Sequence, residues 1–223
     1  MGMGRRPRIF LPGVSLHVIH RGNNRGPIVR DDTDRDVLLT LLRRASERHS
    51  LAVHGYVAMD THYHLMVTPT YEGCLSAAMK ELGERYVGYF NQRHQRSGTL
   101  WNGRFRDLPV LDERYWLTCL RYIELNPVRA RMVTSPEAFR WSSYRHHAMG
   151  EEIDWLTSHG LYLALGSTPA ERQLTYRTLC ESPVTRAEML EQRLAWRRAR
   201  HEDHRLPDTN ELKFTLIRTV TGV

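Results

Sequence analysis

Apolar and polar side chains alternate most clearly over residues 61–68, where Tyr63, Leu65 and Val67 interleave with His62, His64, Met66 and Thr68. A strand sends successive side chains to opposite faces. The pattern therefore predicts a short strand that packs its apolar set inward and carries two imidazoles on its other face, about 7 Å apart by the strand rise. Residues 14–20 share the period, with Val14, Leu16 and Val18 set against Ser15, His17 and Ile19. Residues 53–59 read as a further strand that turns through Asp60-Thr61 into the histidine strand, a tight hairpin. A fourth strand is expected over 105–111, at a sheet edge because Pro109 cannot donate to a central ladder.

Between these runs the period lengthens. Val37, Leu38, Leu41, Leu42 and Ala45 follow a Thr33/Asp36 capping box at helical spacing, with an end near His49. Leu75, Met79, Leu82, Tyr86 and Tyr89 or Phe90 form an apolar stripe on a long helix over 72–94. Asp112 is placed to cap a third helix, 113 to about 125, with Trp116, Leu120 and Ile123 on its core stripe. Thr118, Tyr122 and Asn126 share a neighbouring stripe, and Pro127 limits the helix because the residue before proline avoids the helical region. The order β-α-β-β-α-β followed by a helix predicts an α+β fold: a ferredoxin-like antiparallel sheet with helices on one face. His62 and His64 then point to the other face, expected to be free. Capping boxes at Thr168–Glu171 and Thr185–Glu188 open helices to about 181 and 201, and 205–223 shows only a weak helical pattern. The division expected is a domain over 1–150 and a helical C-terminal extension over 151–223.

Charge sharpens this picture. The net charge is +7, and residues 1–150 hold 22 Lys and Arg against 14 Asp and Glu, whereas 151–223 hold 10 against 11. A basic domain with a near-neutral tail suggests a polyanionic partner. Of the 32 basic residues 30 are Arg, which an Arg-rich composition alone also produces, although the planar guanidinium suits phosphate. Cys74, Cys119 and Cys180 are odd in number and far apart, which disfavours a disulfide framework and fits a reducing cytoplasm. No apolar run approaches membrane-spanning length and the basic start lacks a signal peptide's apolar region. A cytoplasmic, nucleoid-associated protein without membrane contact is expected, as a monomer or homodimer.

Two neutral imidazoles on one strand face can share a divalent cation; they are also what two ordinary histidines on a half-wet face look like. Mg²⁺ or Mn²⁺ would want oxygen donors too, and the Asn126 amide oxygen qualifies. Tyr122 lies one turn before Asn126, so if Asn126 reaches the metal, Tyr122 reaches a phosphate held there. Its phenol could attack to form a phosphotyrosine. Two loops suit DNA: Arg21, Asn23, Asn24 and Arg25 in one, and Trp101, Arg104 and Arg106 in another that mixes Arg, Gly and aromatics. The second also reads as a polar turn whose Trp101 and Phe105 plug the core.

The arrangement resembles the single-tyrosine His-hydrophobic-His transposases that act on single-stranded DNA, and among them the REP-associated tyrosine transposases. The stretches that carry the resemblance are His20–Arg25, Thr61–Val67, Gly98–Phe105, Arg121–Ala130 and Trp141–Tyr144, in order across 14–146. The resemblance implies that His62 and His64 are metal ligands, Asn126 the third ligand and Tyr122 the nucleophile. It further implies metal-dependent cleavage and strand transfer beside hairpin DNA through a 5′-phosphotyrosine. The family commonly has Pro-Asn before the first histidine, where this chain has Asp60-Thr61. Two other classes compete: a non-catalytic nucleic-acid-binding module on the same sheet, which wants exposed aromatics where this chain has histidines, and a hydrolase of small phosphoesters, which leaves the basic excess unexplained.

Overall fold

The structure, a computed structural model, describes residues 10–182 and 184, of which Pro12–Val184 form one compact unit. The helix expected after Thr185 and the weak pattern over 205–223 lie outside the described residues. Four antiparallel strands, β1 (Leu16–Arg21), β2 (Leu51–Ala58), β3 (His62–Pro69) and β4 (Arg106–Pro109), are ordered β2-β3-β1-β4. This is the ferredoxin-like order that the alternation predicted, with the Pro109 strand at an edge.

Helices α1 (Asp32–Arg48) and α2 (Cys74–Arg93) cover one face. Leu16 and Val18 of β1 and Tyr63, Leu65 and Val67 of β3 are buried there with Leu38, Leu42, Leu82, Tyr86 and Phe90. The cap of α1 is Asp31, whose side chain accepts from the Asp34 N–H, and not Thr33 as the capping-box pattern suggested. At the interface of the two helices, fully buried Asp34 binds Arg93 and His94. A buried carboxylate is tolerated when paired in this way.

The second face, expected to be free, carries a helix as well. Helix α3 (Glu113–Glu124) lies across β2 and β3, with Trp116, Leu120 and Ile123 buried. At Gly55 an added Cβ would lie 2.4 Å from Leu120 Cδ1 and 3.0 Å from Ser143 Oγ, so a larger residue would force those side chains to shift. Polar groups under α3 are linked in a chain. Trp116 Nε1 donates to Ser15 Oγ, Ser15 and Thr68 share a 2.8 Å hydrogen bond, and Thr68 meets His54, whose other nitrogen meets the Thr157 carbonyl.

A one-turn helix α4 (Asn126–Arg129) follows α3 directly. Residues 141–144 then pair with the outer edge of β2: Ser142 bridges Val57, Ala58 N–H donates to the Trp141 carbonyl, and Ser143 N–H to that of Tyr56. An edge strand that would otherwise expose its ladder is thus covered. Short helices α5 (Tyr144–Met149) and α6 (Gly160–Leu163) and the longer α7 (Pro169–Glu181) pack in the same unit. The Thr168 capping box forms as the sequence indicates. Glu124 of α3, fully buried, accepts from Ser143 Oγ at 2.5 Å and Tyr176 Oη at 2.6 Å and pairs with His147 Nδ1 at 2.7 Å. Three helices and the β2 edge segment therefore meet at one carboxylate.

Candidate active site

The register of β1 against β3 builds the site. Ile19 faces His64 and Arg21 faces His62, so His17, Ile19, Arg21, His62 and His64 occupy one sheet face. The His62 and His64 rings lie 4.9 Å apart, close enough to converge on one ion. Each has one ring nitrogen engaged: His62 Nδ1 with Thr61 Oγ1 at 3.0 Å, and His64 Nδ1 with His17 Nε2 at 2.7 Å. Both Nε2 atoms are thereby left to serve as ligands. Thr61, which stands in the departure from the family's Pro-Asn pattern, orients His62. Its neighbour Asp60 pairs with Arg35 of α1 and takes the Ile28 and Val29 N–H groups on its carbonyl.

Burial keeps these imidazoles neutral. It lowers His62 to about 4, with the charge of Arg21 adding to the effect. It holds His64 well below the usual value, helped by His17, His62, Arg21 and Arg129. Neutral imidazole is the form that ligates a metal.

Helix α3 brings Tyr122 over this face, with its ring centroid 6.0 Å from that of His64 and 6.0 Å from that of His17. Among the described residues its hydroxyl has no hydrogen-bond partner. The Arg129 guanidinium lies over the ring, 4.4 Å from its centroid. Pro127 lacks an N–H, so the carbonyls at the end of α3 want other donors. The Asn126 amide nitrogen supplies them, donating to Tyr122 O at 2.8 Å and to Ile123 O at 3.4 Å. Among the described residues no three His, Cys, Asp or Glu side chains form a metal cage. The two imidazoles are donors that a divalent ion can take together with oxygen ligands in its remaining positions.

Six of the seven residues expected to touch DNA are exposed: Arg21, Asn23, Asn24, Arg25, Arg104 and Arg106. Their two loops are stitched by a Gly22–Trp101 bridge and by bonds from Asn23 N–H to the Leu100 carbonyl and Asn102 N–H to the Arg21 carbonyl, both 2.8 Å. Trp101 is the exception. It is 9% exposed, its ring stacks on His20 at 4.1 Å, and Tyr63 and Tyr86 pack around it. An indole so enclosed cannot stack on a base, and of the two readings of that loop the core plug holds. The sequence by itself assigns no role to His17 or Arg129. Alternation put His17 on the site face, but its contact with His64 is diagonal across strands and needs the register. Arg129 stands in a matched stretch, but only the turn after Pro127 folds it back over Tyr122.

Residues 11–126 match the family model described as "Transposase IS200 like". The chain belongs to the IS200-like transposases. It is accordingly a DNA-processing enzyme of transposition, with His62, His64, Tyr122 and Asn126 inside the matched segment. Among solved structures, a REP-associated tyrosine transposase bound to a REP hairpin superposes with a TM-score of 0.55 at 15% identity, over 71% of this transposase and 93% of that chain. At that identity the likeness is one of fold. A candidate transposase from Deinococcus radiodurans R1 has 25% identity and a TM-score of 0.38, over 56% of this chain and 96% of its own. No curated protein matches. Among the described residues no helix of the transposase is long and apolar enough to cross a membrane.

Proposed function

We propose that this transposase cleaves and rejoins single-stranded DNA beside a hairpin through a covalent 5′-phosphotyrosine on Tyr122, with Mg²⁺ or Mn²⁺ as cofactor. The observation that carries the reading is the Tyr122 ring on the face that holds His62 and His64, beneath the Arg129 guanidinium, with a hydroxyl that has no hydrogen-bond partner among the described residues.

His62, His64 and the Asn126 amide oxygen would hold the ion. A divalent cation there supplies positive charge to a phosphodiester oxygen and so eases attack at phosphorus. The chain's residues do the rest. Arg21 and Arg129, both exposed and both close enough for their charges to act on His64, grip phosphate oxygens. Tyr122 Oη attacks phosphorus and the bond from phosphorus to the 3′-oxygen breaks. The proton lost by the phenol is balanced by one gained at the leaving 3′-oxygen, giving a free 3′-hydroxyl. In rejoining, a 3′-hydroxyl attacks the phosphotyrosine and the phenol leaves with the proton returned. The bond energy stays in the phosphotyrosine, so no nucleotide triphosphate is consumed. The loops of Arg21–Arg25 and Arg104–Arg106 lie beside the site and hold the backbone of the flanking DNA.

The solved relative bound to a REP hairpin supports a hairpin as the DNA class. A non-catalytic module fares worse, since it needs open aromatics on the sheet, whereas α3 covers this sheet and Trp101 is buried. The test is incubation with single-stranded DNA that carries a palindromic hairpin, with Mn²⁺, followed by denaturing electrophoresis. A protein–DNA adduct is expected from the wild type and none from Tyr122→Phe, His62→Ala or a chelated sample. Cleavage without an adduct would refute tyrosine attack and indicate water.

A further inference from the structure

His17 is buried with 3% exposure on the site face of β1, one cross-strand diagonal from His64. Its Nε2 is 2.7 Å from His64 Nδ1, the rings are stacked at 5.0 Å, and the Tyr122 ring meets it edge-on. Its own Nδ1 is buried without a hydrogen-bond partner. A buried imidazole with one nitrogen unmatched among the described residues is costly to keep for packing alone. We infer that His17 is a positioning residue that fixes the ring and the tautomer of His64 so that Nε2 is presented to the metal, an inference that rests on the metal reading above.

The argument is one of proton count. Two neutral imidazoles joined by a single hydrogen bond share one bridging proton. If His17 owned it, His64 would carry its proton on Nε2 and could not ligate. When His64 ligates, the bridging proton belongs to His64 Nδ1, and His17 Nε2 is the acceptor. A metal-bound histidine ordinarily donates its second nitrogen to a carboxylate, carbonyl or water, and such partners fix ring orientation and ligand basicity. Here an imidazole takes that place. His62 has the equivalent partner in Thr61. The two ligands are thus held by different devices, one local in sequence and one set by strand register. Tyr122 packs on the same pair of rings, so whatever orients His64 also sets the surface against which the nucleophile rests.

The test uses the purified full-length chain and Mn²⁺, with affinity measured by calorimetry in the absence of DNA. His17→Phe keeps an aromatic ring and removes both nitrogens; His17→Gln restores an acceptor oxygen near the position of Nε2. Expected are a ~10–100-fold weaker Mn²⁺ affinity for His17→Phe, the usual effect of losing such a partner, and recovery of most of it in His17→Gln. Adduct formation by His17→Phe should return at saturating Mn²⁺, since the nucleophile is intact. Thermal melts establish that each variant is folded. Binding by folded His17→Phe within twofold of wild type, or His17→Gln as weak as His17→Phe, would overturn the inference. His62→Ala is the reference: if it leaves Mn²⁺ binding unchanged, the metal reading itself fails and the inference falls with it. A separate arm needs no metal. Long-range ¹H–¹⁵N spectra should show a slowly exchanging imidazole N–H bridging His17 and His64 in the wild type and none in His17→Phe. Its absence from the wild type would overturn the inference even where the metal reading stands.

Discussion

Replacement of Glu124 by alanine tests how α3 is held over the sheet. The carboxylate is fully buried and takes hydrogen bonds from Ser143 and Tyr176 while pairing with His147, which is itself 2% exposed. Its removal leaves two hydroxyls and an imidazole nitrogen buried without their partner. Each unmatched polar group costs about 1–3 kcal/mol, part of which is recovered as side chains rotate or water enters the space. Breaking a buried pair by deleting one member costs about 3–5 kcal/mol in other proteins. A destabilisation of about 3–5 kcal/mol is therefore expected for Glu124→Ala. With a urea m-value of about 2 kcal/mol/M for a chain of this size, the unfolding midpoint should fall by roughly 1.5–2.5 M. The site should suffer as well, because Tyr122 and Asn126 stand two residues to either side of Glu124. The rate of adduct formation should drop even at urea-free temperatures where the variant is folded. Tyr176→Phe removes one of the three contacts and should cost only about 1–2 kcal/mol. A Glu124→Ala midpoint within about 0.3 M of wild type, at unchanged m, would refute the claim that this carboxylate locks α3.

Other outcomes follow from particular contacts. Gly55→Ala puts a methyl 2.4 Å from Leu120 Cδ1 and 3.0 Å from Ser143 Oγ, and should destabilise by about 1–3 kcal/mol in a thermal melt while slowing cleavage. Trp101→Ala should lower stability by about 3–5 kcal/mol, as expected of a core indole. Arg21→Ala plus Arg104→Ala should leave stability within about 0.5 kcal/mol yet reduce the slope of log affinity against log salt by about 2, read by fluorescence anisotropy on a single-stranded hairpin. Acid should destabilise the fold early. Burial depresses His17 to about 3 and His54 and His62 to about 4, so between pH 6.5 and 4 the unfolded chain takes up protons that the folded chain does not. Stability is then complete above pH 6.5 and falls as pH drops through that window; a denaturation midpoint flat from pH 7 to pH 4.5 would contradict it.

Period alone located the strands and helices of this chain, because each element has one apolar face and the period of that face differs between strand and helix. It also placed His62 and His64 together, since alternate residues of a strand share a side whatever the strand pairs with. The sequence puts Tyr122 and Asn126 one helical turn apart before Pro127, and in the structure the Asn126 amide nitrogen caps that helix end by donating to Tyr122 O. What lay beyond local period required three dimensions. Whether His17 meets His64 depends on strand register, which no single strand states. Trp101 sits in a loop whose composition suits nucleic acid and core alike, and the bridge to Gly22 decides that its ring turns inward onto His20. Arg129 reaches Tyr122 only after a one-turn helix reverses the chain. Glu124 carries no signal of its own in the sequence, and becomes the buried anchor of α3 only when α5, α7 and the edge segment of β2 close around it. Local side-chain pattern is a property of neighbours along the chain, whereas partner choice for a buried polar group is settled by whichever distant segment supplies the matching atom.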